Sequence, residues 1–336
     1  MNRKRKVLIL AWALISMLVG CSLDGDEDDT IGNWVKVSDF EGVTRSGTVS
    51  FTIGDYAYVG LGFDGDDYLT DFWRYDPGLN FWQRMESFPG VGRIGAVAFS
   101  LNGKGYIGTG FNQDLDEEEL DDLWEYDPES DSWTEKSSFG GGARHSAIAF
   151  TLNGRGYIGT GYDGNYLKDM WRYNAENDSW EQTVSLFGSK REQAFSFTID
   201  GKAYVGGGRN NGALLDDFWA FDPETQVWED LSLDDEDDHY DEYILAMSRH
   251  SANGLSSLGL GYVIGGISSE FTRSVYRFDP ENNSWTDLTA FEGTARSDAA
   301  AFVLNDRIFL GTGRNSNRRF DDFFEFNPME DYDEDD

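Results

Sequence analysis

Six tryptophans are spaced along most of this chain, at Trp34, Trp82, Trp133, Trp180, Trp228 and Trp285. Eleven residues after five of them stands an arginine: Arg45, Arg93, Arg144, Arg191 and Arg296. After Trp228 the gap widens to 21 and the arginine is Arg249, so the fifth unit carries a ten-residue insertion. Six residues beyond each arginine lies Phe51, Phe99, Phe150, Phe197 or Phe302, with Leu255 in the fifth unit. A self-similar period of about fifty residues means that each unit is one supersecondary element whose apolar face must be buried by its neighbours.

Each unit also contains a glycine pair, from Gly60/Gly62 to Gly311/Gly313, and then an acidic-apolar-aromatic step. Asp71-Phe72-Trp73, Asp122-Leu123-Trp124, Asp169-Met170-Trp171, Asp217-Phe218-Trp219 and Asp322-Phe323-Phe324 carry that step, and Ser274-Val275-Tyr276 is a degenerate copy. Short runs of alternating β-prone residues, separated by turns such as Asn153-Gly154, predict four antiparallel strands per unit. The first strand of a unit is made of small groups, as in Arg144-His145-Ser146-Ala147-Ile148-Ala149-Phe150, whereas the third and fourth carry Trp, Tyr and Phe. Small residues at a crowded axis and aromatic ones at a wide rim suit sheets packed radially.

The glycine pair, the spaced aromatic and the tryptophan together resemble the kelch repeat, over about Asn33 to Pro328. That resemblance implies an all-β, six-bladed kelch-type β-propeller. Most units have Gly-x-Gly where the family commonly has Gly-Gly, and the fifth lacks the acidic residue before its aromatic. The last unit ends at Pro328 without a tryptophan strand and the first begins with an orphan one at Trp34, so the N-terminal strand is expected to close the last blade and remove a free sheet edge.

Ahead of the repeats, a basic start (Arg3, Lys4, Arg5, Lys6) runs into the apolar stretch Val7 to Val19, the pattern of a secretory leader over residues 1–20 and too short for a comfortable membrane span. Leu18-Val19-Gly20-Cys21 resembles the lipobox of bacterial lipoproteins, which implies lipidation of Cys21 and attachment to a membrane through the lipid. Cys21 is the sole cysteine, so no internal disulfide forms. Residues 21–32 read as an acidic flexible tether and 329–336 as an acidic tail. The implied location is the bacterial cell envelope, at the outer membrane, facing either the periplasm or the surface. Loss of the leader removes four basic residues and takes the net charge from minus 35 to minus 39. A polyanion of this size repels nucleic acid.

In antiparallel blades the start of strand one, the loop between strands two and three and the link to the next blade share one face, which therefore gathers the arginines and the variable loops. A ring of guanidiniums there suits a carboxylate, an acidic peptide or an acidic sugar. An arginine in every blade also suits a structural fixture, paired with a loop aspartate or with backbone carbonyls. The ligand-binding candidates are Arg45, Arg93, Arg144, His145, Arg191, Glu192, Arg249, His250 and Arg296, of which His145, Glu192 and His250 break the sixfold monotony. No catalytic residue and no metal ligand is assigned. The acidic loops Asp64 to Asp67 and Asp114 to Asp122 lack EF-hand spacing, and calcium is the one cofactor they leave open.

These features favour a non-enzymatic envelope scaffold whose loop face binds a glycan or another envelope protein. The alternative is an enzyme similar to the kelch-type sialate mutarotases, with Arg144, His145, Glu192, Arg249 and His250 around the sugar. Galactose oxidase resembles the chain in fold, but its copper site needs histidines and a tyrosine crosslinked to cysteine, and here the cysteine lies at the lipid anchor.

Overall fold

A computed structural model describes residues 31–333. The leader, Cys21 and the tether as far as residue 30 lie outside the described residues, as do residues 334–336. Six four-stranded antiparallel sheets follow one another as blades, and within the first five the strands are hydrogen-bonded in chain order. Blade three is typical, with Ile148–Leu152, Arg155–Gly159, Met170–Asn174 and Ser179–Thr183 running from axis to rim. In blades two to six the first two strands are joined by two-residue turns with both residues at positive φ, such as Asn153 (48°) and Gly154 (69°). This backbone matches the right-handed twist of a hairpin and suits Asn and Gly.

The sixth blade is built from both ends of the repeat array. Ala300–Leu304, Arg307–Gly311 and Phe323–Asp331 are completed by the N-terminal strand Ile31–Lys36, with Trp34 opposite Phe326. The two rings stack at 4.5 Å, and the Trp34 indole N–H donates to Thr289 O of blade five at 3.3 Å. The final strand runs past Pro328 to Asp331, which pairs with Ile31, so residues 329–331 belong to the sheet and not to an acidic tail.

Closure of the ring is written in backbone hydrogen bonds. The second glycine of every pair donates its N–H to the carbonyl of the next blade's arginine: Gly62 to Arg93, Gly110 to Arg144, Gly161 to Arg191, Gly208 to Arg249, Gly266 to Arg296, and Gly313 back to Arg45, all at 2.7–3.0 Å. At these six positions φ lies between +84° and +114°, and a Cβ would fall 2.6–3.1 Å from the carbonyl oxygen of the residue after the same blade's arginine. Only glycine meets both demands.

Size complementarity joins neighbouring blades. The residues three after the arginines, Thr48, Ala96, Ala147, Ala194, Ala252 and Ala299, line the narrow axial channel. Further out, the inner-strand phenylalanine of one blade faces a small residue on strand two of the next; a Cβ on Gly105 would meet Phe51 at 2.1 Å, on Gly156 Phe99 at 2.3 Å, and on Gly261 Phe197 at 2.4 Å. Between blades five and six the sizes are exchanged, with Leu255 packing against the cluster that contains Ile308. The interior tolerates such volume-conserving swaps and little else.

The insertion in blade five forms a helix, Tyr240–Met247, which the repeat pattern did not indicate. Tyr243, Ala246 and Met247 are buried against Phe195, Phe218 and Trp285. Among the described residues no helix is long and apolar enough to cross a membrane.

Candidate ligand site at the channel mouth

Five residues before four of the arginines, in blades one, two, three and six, stands a phenylalanine that the guanidinium covers: Phe40, Phe88, Phe139 and Phe291, at 4.8–5.1 Å from the ring centre. The arginine lies four residues ahead of the inner strand and not at its start, and its side chain turns into the blade. Arg45, Arg93 and Arg191 have no exposed surface, Arg144 and Arg296 1%, and Arg249 2%. In five blades the partner is the acidic residue of the Asp-x-aromatic step. Arg45 reaches Asp71 at 2.5 and 2.7 Å, Arg144 reaches Asp169 at 2.8 and 3.0 Å, Arg191 reaches Asp217 at 2.6 and 2.7 Å, Arg296 reaches Asp322 at 2.6 and 3.1 Å, and Arg93 holds Asp122 in the same way. Nη1 also donates to the carbonyl between the two glycines, from Leu61 at 3.2 Å to Thr312 at 2.9 Å. Trp73, Trp124, Trp171 and Trp219 donate their indole N–H to the same aspartates.

This geometry corrects the reading of Arg45, Arg93, Arg144, Arg191, Arg249 and Arg296 as ligand-binding candidates. Their Nε, Nη1 and Nη2 atoms are engaged inside the protein, and the side chains do not face the channel. Their work is to fix the mouth loops to the blades. Burial alone would raise the carboxyl pKa of Asp71, Asp169 and Asp217, but Arg45, Arg144 and Arg191 outweigh it and hold those carboxyls below the ordinary range.

Blade five solves the same problem without a carboxylate. Ser274 replaces the aspartate and accepts from Arg249 Nη1 at 3.0 Å, while Nε and Nη2 both donate to Leu245 O in the last turn of the inserted helix. The negative end of a helix suits a cation. Burial pulls the pKa of Arg249 down to about 10, which leaves it charged at neutral pH. The insertion and the missing acid are thus one adaptation.

With the six arginines withdrawn, the mouth is lined by the residues next to them and by those after the second glycines. These pair across as Ser46 with Phe63, Ile94 with Phe111, His145 with Tyr162, Glu192 with Arg209, His250 with Ile267 and Ser297 with Arg314. Blades one to three supply an aromatic arc. Phe63 packs on Tyr68 at 4.8 Å, Phe111 on His145 at 5.2 Å, and His145 on Tyr162 at 5.6 Å. Blades four and six supply arginines. A cavity of about 350 Å³ opens between the two sides, lined by Phe63, Ile94, Phe111, His145, Arg314 and Arg319 among others.

Of the sequence candidates, His145 is in this cavity, with Nδ1 3.0 Å from Ser146 Oγ, and burial lowers its pKa so that the neutral form prevails at pH 7. Glu192 is buried and held by Arg209 at 3.0 Å. His250 lies outside the cavity lining, and burial likewise lowers its pKa. Phe63, Phe111, Arg314 and Arg319 were missed in the sequence. The signal was there: the position after the second glycine reads Phe, Phe, Tyr, Arg, Ile, Arg across the units. Among the described residues no group of three or more His, Cys, Asp or Glu side chains is arranged to hold a metal ion.

The model of the KLHDC2/KLHL20/DRC7 kelch-repeats domain matches residues 140–313. No curated protein matches the chain. The solved structure of YjhT is similar in fold, with a TM-score of 0.72 at 14% identity, over 85% of this chain and 95% of that one. At that identity the likeness concerns the fold alone.

Proposed function

The chain belongs to the kelch-repeat family, and from that premise we propose that it is a non-enzymatic binding scaffold of the bacterial cell envelope, lipid-anchored at Cys21, with the channel mouth as its ligand site. The observation that carries this reading is the aromatic arc of Phe63, Phe111 and Tyr162 beside a cavity of about 350 Å³, within the range of about 300–1,000 Å³ usual for small ligands. Aromatic faces over three consecutive blades suit the apolar faces of sugar rings, so a glycan is preferred to a protein ligand. A glycan array and an envelope-lysate pull-down with residues 30–336 test it. Glycan hits that vanish in Phe111→Ala support the reading, and an array without hits defeats it. Radiolabelled palmitate incorporated into the parent and absent from Cys21→Ser tests the anchor.

The alternative, a carbohydrate enzyme similar to the sialate mutarotases, draws on His145, which lies in the cavity in its neutral form. Against it, Glu192 is held by Arg209, and Arg144 and Arg249 are spent within their blades. Exchange spectroscopy on sialic acid anomers decides: acceleration by the protein, lost in His145→Ala, would replace the scaffold reading.

A further inference from the structure

We infer that the mouth is selective for a glycan unit bearing one anionic group, a carboxylate or a sulfate ester, recognised by Arg314 and Arg319 of blade six. The inference rests on the glycan reading above and names the chemistry of its ligand.

Arg314 and Arg319 face each other as a cross-strand pair in a two-residue hairpin, Arg314–Asn315 against Arg318–Arg319. Like charges placed directly opposite are destabilising. The equivalent hairpin of blade four avoids this, with Leu214 opposite Arg209. Only part of the blade-six charge is answered within the protein. Arg314 Nε donates to Asp298 at 2.9 Å, and the Arg319 guanidinium lies over the Phe63 ring at 4.9 Å. The Nε of Arg319 is shielded from solvent and has no acceptor. Both side chains line the cavity.

A second polar residue of the cavity bears on the rest of the ligand. Gln193 Oε1, on the far side of the same cavity, is shielded from solvent and has no donor. With guanidinium donors from Arg314 and Arg319 and an amide from Gln193 in one cavity, a ligand suits it that brings an acceptor for the arginines and a polar group for the amide. An anionic sugar does so. Its charged oxygens meet the two guanidiniums, its hydroxyls meet Gln193, Ser146 and His145, and its C–H face lies against Phe63 and Phe111. An inorganic anion leaves the aromatic side and Gln193 unused. Asp64, Asp66 and Asp67 stand in the exposed loop that follows Phe63, next to the site, and disfavour a ligand dense in charge. A single anion per bound unit follows.

The test is calorimetry on the full chain in detergent, with a glucuronate-containing oligosaccharide, a monosulfated one, the matched neutral oligosaccharide, and a peptide rich in aspartate. The expected result is that acidic sugars bind at least about ten-fold more tightly than the neutral one. Arg319→Gln is expected to erase that preference without loss of thermal stability, and Arg319→Lys to restore it in part. If uronate binds and sulfate does not, the group is a carboxylate; the reverse identifies a sulfate. Equal binding of neutral and acidic sugars, or a preference unchanged in both Arg319→Gln and Arg314→Gln, overturns the inference while the glycan reading stands. Binding of the peptide alone, or of nothing, overturns both.

Discussion

Replacing Asp169 with serine would give blade three the residue that blade five carries at the same place, Ser274, but without the inserted helix. Arg144 is 2% exposed at its side chain and Asp169 23%. Removing one partner of a buried ion pair costs about 3–5 kcal/mol. Water reaches the aspartate side and Thr160 O remains as an acceptor at 2.9 Å, so the cost falls below that range, at about 2–3 kcal/mol. For a chain of 336 residues each kcal/mol moves the melting temperature by about 1.5 °C, so a fall of about 3–5 °C is expected by calorimetry. The converse change, Ser274→Asp, gains far less, within about 1 kcal/mol, because Leu245 O already takes Nε and Nη2 of Arg249. A D169S protein that melts with the parent refutes the argument. So does an S274D protein that gains as much as D169S loses, since the helix carbonyl would then be no substitute for a carboxylate.

The size exchange between blades five and six predicts that Leu255→Phe alone destabilises by about 1–3 kcal/mol and that adding Ile308→Ala recovers most of it, read as coupling in a double-mutant cycle of urea midpoints. Trp34→Ala is expected to cost about 3–5 kcal/mol, with fluorescence and circular dichroism still reporting one transition, because the strand it anchors closes the whole ring. Stability should fall with acid in two stages. His145 and His250 have lowered folded pKa values, so their contribution is present above the ordinary 6.5 and is lost as pH drops through the folded values. Asp71, Asp169 and Asp217 are also lowered, and theirs is present above 3.8 and lost as pH drops further. Urea midpoints from pH 8 to pH 3 check both stages, and Asp169→Asn should weaken the second alone.

The ring of six was legible in the sequence because its determinants are periodic. The second glycine of each pair is irreplaceable at a positive φ beside a carbonyl, and the inner strands are small because they meet at an axis. The circular closure was legible from an orphan tryptophan strand. What the arginines do was less so. A conspicuous cation invites a ligand, yet its partner lies 25 to 29 residues on, at the head of the third strand, and only folding shows that the two meet inside the blade. The helix of blade five escaped because its stretch follows a run of acidic residues, and its reason for existing, the carbonyl offered to Arg249, is tertiary. The mouth residues escaped because they vary where the repeat is otherwise constant, and a search for sameness passes over them.

Two classes of arginine stand at the mouth, six fixtures inside the blades and a pair in blade six that lines the cavity. Guanidinium Nε–H resonances, recorded by NMR during titration with an acidic oligosaccharide, test that division directly. The Arg319 guanidinium resonances are expected to shift, while those of Arg45, Arg93, Arg144, Arg191, Arg249 and Arg296 stay in place. Movement of those six with Arg319 silent would contradict it.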